Sequence, residues 1–410
     1  MVAQLKVDAE PDEVGIDGAR LSRIDAHFKR YVDDGRLAGW TIALARRGKV
    51  AHLSHYGLAD LETRRPVADD TIWRIYSMTK PITSVAALML LERGALELTD
   101  PVSRYIPAFA DSRVYVSGSA ANPGTVPATE PVRIWHLLTH TAGLTYGFHH
   151  AHAVDEMYRA KGMEFGAPRG MDLAGACEVF AGLPLLFQPG AEWNYSVATD
   201  VLGRVVEVAS GQSLDAFFTE HILGPLGMED TAFSVTSDDI DRLATLYVRG
   251  HDGALARSAM GEGATRPPTY LSGGGGLVST AADYHRFSQM LARGGELDGV
   301  RLLAPRTVAY MTRNHLPGGA DLDQVGRPMF SESPFRGVGF GLGVSVVVDA
   351  AAGKAMAQEG EYGWGGLAST AFWVAPAAEV TALFLTQFMP SSAYPIRSQL
   401  RALVNQALLD

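Results

Sequence analysis

The stretch Ser77-Met78-Thr79-Lys80, with the apolar run over residues 81–91 behind it, decides how this chain is interpreted. The run has almost no polar face, and a helix that is apolar all round belongs in the centre of a large domain. Proline is tolerated only in the first turn of a helix, so Pro81 requires the helix to begin within a few residues of Ser77. Gly94 is suited to cap its C-terminus. Ser77 and Lys80 then share one face, near the positive end of the helix.

This placement suits a serine nucleophile with a lysine base. A hydroxyl is a poor nucleophile until a neighbouring base takes its proton. A lysine amine can act as that base when burial or nearby positive charge makes its neutral form accessible. An S-x-x-K match is weak by itself, and its simpler interpretation is a helix cap followed by a surface lysine. The buried helix favours the catalytic interpretation, with Ser77 as nucleophile and Lys80 as base.

Composition narrows the class of protein. The chain has 410 residues, enough for two domains or for one domain with a large insertion. Its 47% apolar and 20% charged residues are typical of soluble globular proteins. The net charge of −10 and the lack of a Lys/Arg cluster argue against a nucleic-acid or membrane-surface partner. The single cysteine, Cys177, excludes intrachain disulfides and is expected to be a small packed residue.

Targeting signals are not evident in this sequence. Residues 1–15 are acidic and lack the apolar core of a secretory signal. No run of about 18 apolar residues occurs, so we expect no membrane-spanning helix. The sequence therefore predicts a cytoplasmic protein.

Hydrophobic periodicity predicts the elements in chain order. The predicted helices lie within residues 18–34, 77–94, 132–144, 173–183, 198–209, 214–223, 280–291 and 396–409. The predicted strands are residues 40–45, 50–55, 338–348, 367–374 and 380–387. Residues 111–130 are rich in Ser, Gly, Ala, Pro and Thr and are predicted to form a long loop.

The order of these elements predicts an α/β fold of α+β type. Strands at both ends and helices between them favour one antiparallel sheet built from both termini, with a helical region inserted. We therefore expect a discontinuous α/β domain over residues 1–75 and 270–410. A mostly helical domain is expected over residues 76–269, with the active site between the two domains.

Two further stretches are candidates for the same site. Residues 187–197 form a turn that leads into a helix and contains Tyr195. Tyr195 could be a buried packing residue, or it could sit beside Lys80 and pass protons to and from Ser77. Residues 361–367 place three glycines around Trp364, which lets the backbone approach a ligand closely. A backbone N–H there, paired with that of Ser77, would form an oxyanion hole.

These motifs, taken together, resemble the family VIII carboxylesterases, relatives of class C β-lactamases and penicillin-binding DD-peptidases. The similarity covers nearly the whole chain and includes three more stretches. These are Trp73-Arg74-Ile75-Tyr76-Ser77-Met78-Thr79-Lys80, His136-Leu137-Leu138-Thr139-His140-Thr141-Ala142-Gly143-Leu144 and Gly274-Gly275-Gly276-Leu277-Val278-Ser279-Thr280.

The resemblance implies a serine β-lactamase-like fold and a role for each motif residue. Ser77 would be the acylated nucleophile, Lys80 its base partner and Tyr195 the proton shuttle. Trp364-Gly365-Gly366 stands where β-lactamases have Lys-Thr-Gly, so the N–H of Leu367 would join that of Ser77 in the oxyanion hole.

The sequence departs from the β-lactamases at two positions. Val197 stands where they have the asparagine that grips the acylamide of the substrate. Trp364 replaces the cation that holds the substrate carboxylate. Both changes exchange polar recognition for apolar surface and favour neutral acyl esters over β-lactams.

Other patterns point to competing chemistries and are weaker. His149, His150 and His152 could suggest a metal site, but a histidine-rich stretch after Gly143 is more simply an exposed loop. The run Gly273-Gly274-Gly275-Gly276 lacks the Lys-Ser/Thr of a phosphate-binding loop. No G-x-S-x-G nucleophile elbow occurs. We therefore expect no metal and no cofactor.

The expected function is a serine carboxylesterase for short-chain neutral esters, with weak or no β-lactamase activity. An acyltransferase of the same fold, a β-lactamase or DD-peptidase, and a non-catalytic binding paralogue remain as alternatives. The expected partner is a small-molecule ester, and the protein is expected to be a monomer or a homodimer.

Overall fold

The computed structural model describes residues 4–168, 170–327 and 335–409. The strands are β1 Gly39–Arg46, β2 Lys49–Asp60, β3 Arg65–Pro66, β4 Trp73–Arg74, β5 Arg113–Ser119, β6 Asn122–Pro127, β7 Tyr247–Arg249, β8 Leu255–Arg257, β9 Val278–Ser279, β10 Glu296–Leu297, β11 Val300–Arg301, β12 Val338–Phe340, β13 Ser345–Val347, β14 Tyr362–Gly365, β15 Ala371–Ala375, β16 Val380–Thr386 and β17 Phe388–Met389. The helices are α1 Gly18–Asp33, α2 Thr79–Glu92, α3 Ile134–Leu138, α4 Ala153–Ala160, α5 Leu173–Ala181, α6 Ala198–Ser210, α7 Leu214–Phe218, α8 Ala281–Ala292, α9 Pro305–Met311, α10 Leu322–Val325, α11 Ala350–Gly353 and α12 Ile396–Asn405.

The main sheet joins the two ends of the chain. Its strands run in the order β12-β13-β14-β15-β16-β1-β2-β3, and each neighbouring pair is antiparallel. At the centre β1 pairs with β16, with Ile42 opposite Phe384. The predicted antiparallel sheet built from both termini is confirmed. The division into domains 1–75 with 270–410 and 76–269 stays a proposal.

The sheet separates two hydrophobic cores because side chains on a strand alternate between its faces. Phe384 on β16 packs in the core that contains residues of α1 and α12. Its neighbours Leu383 and Leu385 pack in the opposite core, which contains α2. Full burial of one such side chain stabilises the fold by about 1.5–3 kcal/mol. Helix α2 is thus anchored in the larger core.

Helix α2 lies where the apolar run predicted it. A short 3₁₀ turn over Tyr76–Met78 leads directly into the helix. Every residue from Thr79 to Leu90 is buried. The hydroxyl of Tyr284 on α8 donates to the Met78 carbonyl at 2.8 Å, which fixes the start of the helix. Gly94 follows the C-terminus with φ of 70°, a left-handed conformation that favours glycine.

The long loop predicted for residues 111–130 is wrong, because β5 and β6 pair there as an antiparallel hairpin. Val114 is buried and bridges to Leu185, whereas most of the hairpin is half-buried or exposed. The hairpin is therefore held mainly by its backbone hydrogen bonds and by the buried residue Val114. Such a hairpin has little of the alternating apolar pattern that a sequence-based prediction requires.

Two predicted strands are also interrupted. Residues 338–348 form the two short strands β12 and β13, which turn back on each other around Gly343. Gly343 has φ of 92°, and a Cβ there would lie 1.9 Å from Ser84 Oγ on α2. The strand predicted over residues 367–374 begins only at Ala371, because residues 366–370 form a turn after β14. Leu367 therefore lies in a turn rather than on a strand.

Two predicted helices are shorter than expected. The helix within residues 132–144 is only Ile134–Leu138, and His140 just beyond it has φ of 57°. The final helix ends at Asn405. Across the described ranges, no helix combines the length and apolar character that crossing a membrane requires.

Candidate active site

Ser77 lies in the 3₁₀ turn that directly precedes α2. The residue before it, Tyr76, has φ of 44°, an unusual conformation for an aromatic side chain. Two backbone hydrogen bonds hold the turn in place. The Ile75 amide donates to the Leu277 carbonyl at 3.1 Å, and the Met78 amide donates to the Ile75 carbonyl at 3.0 Å. Backbone strain that the surroundings enforce is a common feature of functional sites.

Lys80 is directed at Ser77. Its side chain is buried, with 1% of its surface exposed. Nζ lies 3.4 Å from Ser77 Oγ, 3.0 Å from Tyr146 Oη and 2.7 Å from the Gly274 carbonyl oxygen. All three partners are neutral oxygens. In the neutral amine, two N–H groups can serve Tyr146 and Gly274, which leaves the lone pair directed at the serine hydroxyl.

Tyr146 is a site residue that sequence reasoning missed. Burial first, and then the Asp200 and Tyr195 charges, raise the pKa of its phenol well above the usual value. Tyr146 therefore stays protonated and acts as a hydrogen-bond partner rather than as a base. Its only signal in the sequence is its position just after the His136 to Leu144 stretch that carries part of the family resemblance.

Tyr195 lies against Lys80 with its ring rather than with its hydroxyl. Lys80 Nζ stands 4.5 Å from the centroid of the Tyr195 ring. His149 donates from Nε2 to the Tyr195 carbonyl oxygen at 2.7 Å. The His140 ring packs on the Tyr195 ring with centroids 5.0 Å apart. The structure thus brings Ser77, Lys80 and Tyr195 together, and it orients the tyrosine through two histidines.

Trp364 connects the Trp364-Gly365-Gly366 stretch to Tyr195. It lies on β14, and its indole Nε1 donates to Tyr195 Oη at 3.3 Å. Its ring packs edge-on against Phe340 with centroids 5.3 Å apart. The side chain is half-buried, so part of the ring faces the cavity described below. Trp364 therefore offers apolar surface, as expected, and also one hydrogen-bond donor.

The glycines after Trp364 allow this strand to approach the nucleophile turn. A Cβ on Gly366 would lie 2.4 Å from the Ile75 carbonyl oxygen, which glycine alone avoids. Arg397 Nη2 donates to the carbonyls of Gly366 at 2.9 Å and Thr370 at 3.1 Å and so fixes the turn. Leu367 lies in this turn and faces the same cavity as Ser77. The pairing of their amides as an oxyanion hole stays a prediction.

One cavity of about 1720 Å³ contains the candidate residues. Its lining includes the sequence-predicted residues Ser77, Tyr195, Val197, Trp364, Gly365, Gly366 and Leu367. A row of stacked rings lines the cavity next to Lys80. The ring centroids of Tyr146 and Phe148 are 4.6 Å apart, and those of Phe148 and Phe165 are 5.4 Å apart. Phe165, at the end of the row, is 55% exposed. The site thus offers a long apolar wall beside the proposed nucleophile.

The histidine-rich stretch is only partly an exposed loop. His149 is half-buried against Tyr195, so the prediction of an exposed loop is wrong for this residue. His150 pairs with Glu164 at 3.0 Å, and His152 Nδ1 accepts from the Val154 amide at 3.1 Å. Among the described residues no group of three His, Cys, Asp or Glu side chains has the arrangement of a metal site.

Sequence comparisons with known proteins identify the family of this chain. The sequence model of the beta-lactamase family matches residues 24–406. The chain is 38% identical to Protein Rv1367c of Mycobacterium tuberculosis, over 89% of each chain. It is 34% identical to Esterase EstB of Burkholderia gladioli, over 92% of this chain and 93% of that one.

A solved structure agrees with these sequence matches. EstCE1, described as a hydrolase with promiscuous acyltransferase activity, superposes with a TM-score of 0.80 at 29% identity. The match covers 94% of this chain and 99% of EstCE1. The predicted kinship with the family VIII carboxylesterases is confirmed, and the chain belongs to the beta-lactamase family.

Proposed function

We propose that the protein is a serine carboxylesterase that works through an acyl-Ser77 intermediate. The observation that carries the proposal is the position of Lys80 Nζ, buried and 3.4 Å from Ser77 Oγ. A base must lie within hydrogen-bond reach of the proton that it takes, or close enough to tighten onto it in the substrate complex. The similarity to Esterase EstB supports the same reaction.

The reaction proceeds in two halves. Lys80 takes the Ser77 proton as Oγ attacks the ester carbonyl, and the tetrahedral oxyanion is held by the amides of Ser77 and Leu367. The bond to the alcohol oxygen then breaks, and that oxygen takes a proton from Lys80 through Tyr195. Water next attacks the acyl-serine and gives up a proton by the reverse route, which releases the acid and restores the Ser77 hydroxyl.

The proposed substrates are neutral esters with short acyl groups. Val197 is buried at the start of α6, and its amide donates to the Thr145 carbonyl at 3.3 Å. Its side chain offers no amide to an acylamide group of a substrate. Trp364 brings no positive charge to a substrate carboxylate, and its one N–H is donated to Tyr195 Oη. Both residues support preference for esters over β-lactams.

A second candidate function is acyl transfer to an alcohol. Hydrolysis and transfer differ only in whether water or an alcohol reaches the acyl-serine. The cavity of about 1720 Å³ exceeds the usual 300–1,000 Å³ of a small-molecule site and has room for an acceptor. EstCE1, with its promiscuous acyltransferase activity, supports this alternative. The cytoplasmic location and the monomeric or homodimeric state also stay predictions.

The test uses p-nitrophenyl esters of rising acyl length, with and without acceptor alcohols, on the wild type and on Ser77→Ala. We expect ester cleavage that Ser77→Ala abolishes, and labelling of Ser77 by a p-nitrophenyl phosphonate, located by mass spectrometry. Product analysis then separates free acid from transferred ester. Ester cleavage at the wild-type rate in Ser77→Ala would refute the assignment.

A further inference from the structure

Asp200 is a buried carboxylate beside the site to which the reaction steps above give no role. It lies in the first turn of α6 and is 2% exposed. Its Oδ1 accepts from Ser272 Oγ at 2.6 Å and from the Gly274 amide at 3.1 Å. The Tyr270 hydroxyl also donates to this carboxylate. Burying a charged group is unfavourable unless its contacts repay the cost, so Asp200 calls for an explanation.

Gly274 connects Asp200 to Lys80. Its amide is held by Asp200, and its carbonyl oxygen accepts from Lys80 Nζ at 2.7 Å. A Cβ on Gly274 would lie 2.5 Å from Asp200 Oδ2 and 3.1 Å from Tyr146 Oη. The residue therefore fits closely between the carboxylate and the tyrosine. Any movement of the Asp200 carboxylate would shift the carbonyl that orients Lys80.

We propose that Asp200 is a positioning residue for ester hydrolysis: it fixes Gly274 so that the Gly274 carbonyl aims Lys80 at Ser77. The proposal rests on the proposed function. Two of the three directions around Nζ are taken by Gly274 and Tyr146. Loss of the first contact would let the lone pair turn away from Ser77.

Two substitutions test whether the acceptor oxygen of Asp200 positions Gly274. Asp200→Asn keeps an oxygen that can accept from Ser272 and Gly274, whereas Asp200→Ala removes it. We expect Asp200→Ala to lower kcat for p-nitrophenyl acetate by about 100-fold with little change in KM, because small misplacements of catalytic groups cost that much. Asp200→Asn should retain most of kcat.

Asp283 provides a matched control. It also lies in the first turn of a buried helix, and its Oδ2 accepts from Thr231 Oγ1 at 2.8 Å and from the Asp230 amide at 2.9 Å. None of these contacts leads to Lys80. Asp283→Ala and Asp283→Asn should therefore leave both kcat and KM unchanged. Melting curves and circular dichroism on each variant measure the folded fraction, to which rates are normalised.

The rate at which a p-nitrophenyl phosphonate labels Ser77 provides a second measurement, because it reports activation of the serine without deacylation. A slowed labelling rate in Asp200→Ala that is largely restored in Asp200→Asn and absent from Asp283→Ala would support the proposal. If Asp200→Ala does not fold, Asp200→Leu, which also lacks an acceptor oxygen, is measured in its place. Labelling at the wild-type rate in the variant without the acceptor, or a loss equal to that of Asp283→Ala, would overturn it. Neither result affects the esterase assignment, which depends on wild-type activity and on Ser77→Ala.

Discussion

The indole Nε1 of Trp364 donates a hydrogen bond to the phenolic oxygen of Tyr195 at 3.3 Å. The residue that replaces the β-lactamase cation is therefore in contact with the tyrosine assigned to proton transfer. An indole can donate to the phenol oxygen but brings no full charge. Trp364 thus presents apolar surface to the cavity and, through this hydrogen bond, helps to orient Tyr195.

Trp364→Phe should separate these two contributions. Phenylalanine keeps an apolar ring but removes the N–H donor. A neutral hydrogen bond contributes about 0.5–1.5 kcal/mol, so we expect kcat for p-nitrophenyl acetate to fall by roughly 2- to 12-fold, with KM nearly unchanged. Steady-state kinetics on Trp364→Phe and Trp364→Ala measure this. A rise in KM in Trp364→Phe as large as that in Trp364→Ala would show that the N–H serves substrate binding instead.

β-Lactams should be poor substrates of the wild-type enzyme. A charge-assisted hydrogen bond to a carboxylate is worth about 1.5–3 kcal/mol, or one to two decades in affinity, and Trp364 cannot supply it. We expect efficient cleavage of short acyl p-nitrophenyl esters, weak turnover of nitrocefin and still weaker turnover of benzylpenicillin. The measurement is kcat/KM for the three substrate types on one preparation. Equal values for nitrocefin and the esters would make β-lactamase the leading function.

Lys80→Ala and Tyr195→Phe should each reduce kcat by orders of magnitude, and the double variant should lose little more. Groups that act as one unit in catalysis are strongly non-additive. We expect Lys80 and Tyr195 to form such a unit because Lys80 Nζ lies 4.5 Å from the centroid of the Tyr195 ring. Single-turnover acylation on the three variants tests this. Independent losses that multiply in the double variant would show that the two residues act separately.

Tyr146→Phe should slow acylation although Tyr146 is not a base. The variant keeps the ring that stacks on Phe148 and removes the oxygen that accepts from Lys80 at 3.0 Å. Lys80 then has one fixed acceptor instead of two, and we expect kcat to fall by about 10- to 100-fold. Labelling of Ser77 by the phosphonate should slow in parallel. Labelling at the wild-type rate would place the role of Tyr146 after acylation or in substrate binding.

Asp283→Asn should stabilise the protein at neutral pH. Burial raises the pKa of the Asp283 carboxyl in the folded state to about 6, above its ordinary value of 3.8. The folded state thus holds this proton more tightly, and stability is lost as pH rises between these two values. Asparagine does not ionise, so the gain in Tm over the wild type should be small at pH 4 and larger at pH 7. A constant difference across that range would contradict the assignment.

The sequence predicted the parts of the site that lie within single stretches. Ser77 and Lys80 are one helical turn apart, so the position of α2 alone places them together. Tyr195 and Trp364 were candidates from the turn and glycine patterns around them, and the family resemblance supplied their expected roles. Tyr146, Asp200 and Gly274 were not assigned roles, because their contacts with Lys80 or with each other join separate segments of the chain. Such contacts leave no periodic pattern in the sequence.

The same reasoning explains the errors in secondary structure. The strands of the central sheet bury at least one face and have a clear apolar pattern. The β5–β6 hairpin is mostly half-buried or exposed and is held together mainly by the hydrogen bonds between its two strands. The turn at residues 366–370 interrupts an apolar run because Gly366 must pass close to the Ile75 carbonyl, a constraint that comes from another part of the chain.

The pairing of β1 with β16 has a consequence for biosynthesis. Strand β1 emerges from the ribosome long before its neighbour Val380–Thr386, because most of this sequence lies between the two strands. Until then one edge of β1 lacks its native partner, and unpaired strand edges promote aggregation. Native pairing across such a long separation is also slow. We therefore expect yields of folded protein in cells to depend on chaperones that bind nascent chains.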